Sequence, residues 1–170
     1  EMCLNLIDLL LAGYGVDGRL TALVDETDIW FLPLMNPDGL EANVRQNANG
    51  HDLNRSFPTY STDFVGTYFD GDDPALAGRQ PEVAHVMNWT LGNSFVLSAN
   101  FHTGALVVNY PYDYTPGIPS GQDAPSPDDL IFEDLSLRYA MQNGPMFAST
   151  EFENGISNGS AWYSITGGMQ

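Results

Sequence analysis

Residues 81–102 constrain the fold more than any other stretch, because they place a helix and a strand in immediate succession. Pro81 stands at a first helical position, where its missing N–H costs nothing. Val83, Val86, Met87 and Leu91 then recur as an apolar stripe at helical spacing. The run Phe95-Val96-Leu97-Ser98-Ala99 follows at once and reads as a buried strand reaching residue 101, with His102 at its end. The same alternation recurs along the chain. Residues 1–12 place Met2, Leu6, Leu9 and Leu10 on one helical face, stopped by Gly13 and Gly15. Residues 28–35 read as a buried strand closed by the turn Asn36-Pro37-Asp38-Gly39. Residues 105–110 form a further strand, and 111–127 a loop with five prolines. Residues 128–142 read as a helix with Leu130, Leu135 and Tyr139 turned inward. Helices alternating with short apolar strands predict an α/β sheet with helices on both faces. The 170 residues suit one domain, with enough chain to bury a core.

Charge narrows the partners. The chain carries a net charge of −17, with five arginines and no lysine. Nucleic acid and anionic membrane both need a basic surface, so neither is an expected partner. An acidic surface attracts cationic ligands, or it serves solubility alone. No secretory signal and no transmembrane run is visible, and Cys3 has no internal disulfide partner. Residue 1 is not Met, the chain opens on a helix, and it stops at Gly167-Gly168-Met169-Gln170. It therefore reads as a fragment truncated at both ends.

Residues 40–79 form a long polar stretch holding Arg45, Arg55 and Arg79, three of the five arginines. Its densest part runs from Arg45 to Pro58. Two arginines and an asparagine can clamp a carboxylate, since the guanidinium fork matches two oxygens and Asn adds a neutral donor. The same arginines could instead pair with nearby aspartates. Of the three histidines, His85 sits mid-helix and His51 in the polar loop. His102 ends a strand, where ligands of α/β proteins collect. A structural histidine is equally at home there.

The ordered blocks resemble the zinc metallocarboxypeptidases, and among them the carboxypeptidase N/E group with its D and M forms. The likeness spans the chain. It includes Thr27-Asp28 to Met35-Asn36-Pro37-Asp38-Gly39, then Arg45, Asn47-Ala48, Gly50, Asp52-Leu53-Asn54-Arg55 and Phe57-Pro58. It continues in Gln80-Pro81-Glu82, Leu97-Ser98-Ala99-Asn100 with His102, and Tyr110-Pro111-Tyr112-Asp113. It ends in Asn158-Gly159, Ala161-Trp162-Tyr163 and Gly167-Gly168-Met169-Gln170. One departure is Thr103, where the family carries glycine before Gly104.

The resemblance implies a mixed, mostly parallel twisted sheet, of which residues 1–170 form the central part of one catalytic domain. It implies a Zn2+ cofactor with His102 as the third metal ligand. The family's other ligands, in a His-x-x-Glu motif, would precede residue 1, and its general-base glutamate would follow Gln170. Glu1 falls after the liganding position and is no ligand. Arg45, nine residues before Asn54 as in the N/E group, resembles the arginine that polarises the scissile carbonyl. Oxyanion donors of this kind are worth roughly 3–4 kcal/mol. Asn54 and Arg55 resemble the pair that binds the substrate's terminal carboxylate, and Tyr163 the mobile tyrosine that closes over the substrate. Asp113 and Gln170 match positions that receive a basic side chain. The implied substrates are peptides or proteins ending in Arg or Lys, in a secreted or secretory-pathway setting. The isolated chain would be inactive and hold zinc weakly. The family also contains non-catalytic forms, for which the same pocket would bind peptide C-termini without chemistry. Asn88-Trp89-Thr90 and Asn158-Gly159-Ser160 fit the glycosylation pattern; Asn54-Arg55-Ser56 fits it too but is spurious if Asn54 lines the site.

Overall fold

The computed structural model describes residues 1–58 and 79–169. Two helices open the chain. Helix α1 (Met2–Gly13) ends where glycines predict, and it packs against α2 (Gly18–Glu26). The second helix was not anticipated. Its start is capped by Asp17, whose Oδ1 accepts from the backbone N–H groups of Arg19 and Leu20 at 2.8 and 3.1 Å. A side chain at Gly13 would strike Leu20, so the glycine both ends α1 and admits α2.

The Asn36-Pro37-Asp38-Gly39 stretch is a helix start rather than a closing turn. Asn36 caps α3 (Pro37–Ala42) by accepting from the Gly39 N–H at 2.9 Å. The rest of the polar loop includes a 3-10 turn at Leu53–Arg55. Helix α4 (Pro81–Leu91) forms as expected and buries Val83, Val86 and Met87. With Leu53 and Phe57 these make the main core cluster, against which Met35 and Met169 pack. The core thus seats the 53–57 segment directly on α4. Leu91 lies outside it, exposed.

The predicted strands are corrected in part. Residues 28–35 and 95–101 join no ladder among the described residues, and most of their apolar side chains are exposed; Val96 is 100% so. A strand is defined by its neighbour's hydrogen bonds, and an apolar run cannot supply those for itself. Each run is anchored at one ring: Trp89 of α4 meets Trp30 edge-on at 6.0 Å and Phe95 at 4.9 Å. The 105–110 strand shortens to β1 (Val108–Tyr110). It pairs in parallel with β2 (Ile156–Asn158), Val108 opposite Ile156 and Tyr110 opposite Asn158.

Parallel strands need a long crossover. Here it contains α5 (Asp129–Met141) and α6 (Gly144–Phe147), and α5 lies on both strands. The inward face predicted for α5 is wrong. Leu130 is 80% exposed and Leu135 and Tyr139 are exposed too, while Ser136 and Ala140 are buried. Small residues let the helix approach the strands closely. A last short helix, α7 (Gly159–Trp162), follows β2. Asn158 joins these parts. Its Oδ1 accepts from Ala124 N–H at 3.0 Å, and its Nδ2 donates to the carbonyls of Pro111 and Ala124 at 3.1 and 3.3 Å. At 3% exposure, with its amide nitrogen so engaged, Asn158 is a structural residue and not an open glycosylation acceptor. Among the described residues, no helix is long and apolar enough to cross a membrane.

Candidate active site

The segment 45–57 builds its own frame. Arg45 Nε donates to Asp52 Oδ2 at 2.6 Å, closing the loop between them. The interior of that loop is filled by Asn47, 5% exposed, whose Oδ1 accepts from the backbone N–H groups of Asn49 and His51 at 3.1 and 3.0 Å. The Arg45 carbonyl is held from the other side by Asn36 Nδ2 at 3.0 Å. The second oxygen of Asp52 accepts from Asn54 N–H at 3.0 Å and so caps the 3-10 turn carrying Asn54 and Arg55. One carboxylate therefore ties Arg45 to the Asn54–Arg55 pair.

The chain's last described residues complete this frame. Asn54 Oδ1 accepts from Met169 N–H, and Phe57 N–H donates to the Gly167 carbonyl, both at 3.0 Å. Gly167 has φ +72 and lies so close to the Arg55 backbone that a side chain would meet the Arg55 carbonyl oxygen at 2.5 Å. Only glycine combines that conformation with that approach. Arg79 Nη1 also reaches this segment, donating to the Ser56 carbonyl at 2.6 Å.

Asp113 comes in from the loop after β1. Its carbonyl accepts from Ile165 N–H at 3.2 Å, and its Oδ1 accepts from Asn109 Nδ2, also at 3.2 Å. The carboxylate lies against the Cα of Gly159, where a side chain would collide with it, and beside Gly168. Burial pushes the Asp113 carboxyl above its usual range, partly offset by the Asn109 hydrogen bond and by the positive charges of Arg55 and His102.

His102 is exposed, yet its partial burial and then the charge of Arg45 lower its pKa against the opposing charge of Asp52, with Arg55 lowering it and Asp113 raising it to smaller degrees. A neutral imidazole is the form that ligates metal. Arg45, Asp52, Arg55 and Asp113 thus all lie near enough to His102 for their charges to act on it. Tyr163 stands at the end of α7, exposed, its ring edge-on to Trp162 at 4.8 Å. It is two residues from Ile165, which holds Asp113. Gln170 lies outside the described residues.

The residues brought together are therefore Arg45, Asn54, Arg55, His102 and Asp113, with Tyr163 on the adjoining segment. Asn47, Asp52 and Gly167 lie within the resembling blocks, but the sequence assigns them no role. Asp52 had a signal, since an Asp two residues before Asn54 is a capping pattern; the packing of Gly167 on Arg55 had none. The donor set falls short of a metal site by itself. Among the described residues, no group of three His, Cys, Asp or Glu side chains could hold an ion, whereas a catalytic zinc takes about three protein ligands. His102 is a donor of the type such a site uses.

Comparison with known proteins adds to this geometry. The zinc carboxypeptidase family model matches residues 1–170. The chain is 40% identical to carboxypeptidase D of Mus musculus, covering all of this chain and 13% of that protein. It is 39% identical to mouse carboxypeptidase M, covering 40% of it, and 36% identical to the human carboxypeptidase N catalytic chain, covering 44% of it, in each case over the whole of this chain.

Proposed function

Because the chain belongs to the zinc carboxypeptidase family, we propose that the protein containing it is a metallocarboxypeptidase that removes C-terminal Arg or Lys from peptides and proteins. In the complete domain these residues belong to a mixed, mostly parallel twisted sheet with helices on both faces. The observation that carries the proposal is the joint frame of Asp52, Gly167 and Met169, which sets Asn54 and Arg55 beside both Arg45 and Asp113.

Each residue has one task. Asn54 and Arg55 bind the substrate's terminal carboxylate, the guanidinium supplying paired donors for its two oxygens. Arg45 donates to the scissile carbonyl oxygen, and its hydrogen bonds strengthen as negative charge gathers there. Tyr163, exposed at the end of α7, covers the bound terminus and excludes water. Asp113 and Gln170 receive the basic side chain. Burial makes Asp113 costly to ionise alone, so an arriving Lys or Arg head group gains by pairing with it. His102 supplies one ligand for Zn2+, with the remaining ligands and the general-base glutamate outside the described residues. When bound, zinc activates water and polarises the carbonyl as a Lewis acid.

The protein acts in the secretory pathway or outside the cell, with Asn88, exposed on α4, as its glycosylation position. The decisive experiment gives the complete protein two peptides that differ only in ending in Arg or in Leu. Faster release of Arg is expected, and loss of all release on chelation. Faster release of Leu overturns the specificity, and release that survives zinc removal overturns the mechanism. Secreted protein with Asn88 unmodified by mass analysis removes the glycosylation reading.

A further inference from the structure

Arg45 is 54% exposed in its side chain, and its ion-pair partner among the described residues is Asp52. Its place must therefore come from the loop beneath it, which Asn36 holds at the Arg45 carbonyl and a cluster of side chains fastens to the start of α4. Asn47 Nδ2 donates to Gln80 Oε1 at 2.9 Å and to both Glu82 oxygens at 3.1 and 3.2 Å. Asn49 Nδ2 donates to the same Gln80 oxygen at 2.9 Å. With its Oδ1 accepting two backbone N–H groups, every polar atom of the Asn47 amide is used. Glu82 sits in the first turn of α4, where negative charge is already favourable. The same helix carries the core that seats Leu53 and Phe57. One rigid element thus holds both the Arg45 loop and the Asn54–Arg55 turn.

We propose that Asn47 and Glu82 are a positioning pair that sets Arg45 against the carboxylate-binding turn. The proposal rests on the reading of Arg45 as the oxyanion donor. A buried polar contact of this kind is worth keeping only when it is fully satisfied, and here it is. An apolar staple could anchor the loop, but it would leave the two backbone donors of Asn49 and His51 without an acceptor. The charge relation also makes the pair directional. Asn47 must donate, because Glu82 can only accept.

The test uses the complete enzyme and four variants. Asn47→Asp keeps the acceptor oxygen but sets a carboxylate against Glu82. It is expected to lower kcat by about 30- to 100-fold, with KM changed about twofold or less, the scale of a small misplacement of a reacting group. Asn47→Asp with Glu82→Gln restores a donor–acceptor pair with the roles exchanged, and kcat should return to within about threefold of wild type, a recovery expected only where two sites couple directly. Arg45→Lys should lose about 100-fold in kcat by itself, and adding Asn47→Asp to it should cost less than about threefold more, because the loss is already taken. An unchanged kcat in Asn47→Asp, no recovery in the double variant, or full multiplication of the two losses overturns the proposal. Wild-type kcat in Arg45→Lys instead overturns the reading of Arg45, a separate result. Melting temperatures accompany each variant. Should Asn47→Asp not fold, Glu82→Gln alone carries the same cycle with Arg45→Lys, with an expected loss of about fivefold.

Discussion

Two regions of this molecule behave in opposite ways. The stretch 45–57 is polar and reads as a loop, yet it carries an ion pair, a capped turn and a filled interior, all made from residues within it or on α4. The runs 28–35 and 95–101 are apolar and read as strands, yet among the described residues they join no ladder and leave Trp30, Leu32, Leu34, Val96 and Leu97 exposed. The difference lies in where the partners come from. A polar loop finds its first donors and acceptors a few residues away, as Arg45 finds Asp52, and distant segments then add to a frame already begun. An apolar strand gains nothing until another strand or helix covers it, because both its backbone groups and its side chains need a neighbour.

The sharpest test of the first region is functional. Arg45→Ala in the complete enzyme should lower kcat by about 100- to 1,000-fold, as the loss of an oxyanion donor does, with peptide binding little altered. A loss under about tenfold would mean that the frame around Arg45 serves something else. Next comes the seat of that frame. Phe57→Ala should destabilise the chain by about 3–5 kcal/mol, the scale for emptying a buried aromatic site, measured by denaturant melts. A cost below about 1 kcal/mol would place Phe57 with the surface runs and dissolve the contrast.

Asp113→Asn gives a smaller and pH-dependent effect. Because the folded carboxyl is raised, the native state holds its proton to higher pH than the unfolded chain. Stability therefore falls as pH rises from the usual carboxylate range through the raised value. The variant should be more stable than wild type at neutral pH, and the advantage should vanish in acid. In the complete enzyme it should also lose the preference for Arg over Leu. An advantage that persists unchanged in acid would show that burial of the charge is not its cause. The smallest effect belongs to the second region. Val96→Ser in the 170-residue chain should move stability by no more than about 0.5 kcal/mol, the range for a surface position. A loss above about 2 kcal/mol would show that the run is covered after all.

Local pattern alone was enough for α1, for α4 and for the extent of α5. Proline at a first turn, glycine after a helix and an apolar stripe act within a few residues, so one pass along the chain reads them. Arg45, Asn54, Arg55, His102 and Asp113 stand out in the sequence as candidates only through the ordered blocks around them. The face of α5 was not, since a periodic pattern cannot say whether a helix is held by its leucines or by the small residues that let it lie close to a sheet. Nor was the α2 start at Asp17, which follows two glycines that mask it.

What the tertiary structure alone decided is the set of long-range contacts. Asn47 meets Glu82 across 35 residues and Asn54 meets Met169 across 115. Gly167 must be glycine because the Arg55 backbone passes against it, and Gly159 because Asp113 does. Such contacts leave no periodicity in the sequence. They arise when packing brings distant segments to within a hydrogen bond or a missing Cβ of each other, and that distance is a property of the folded chain.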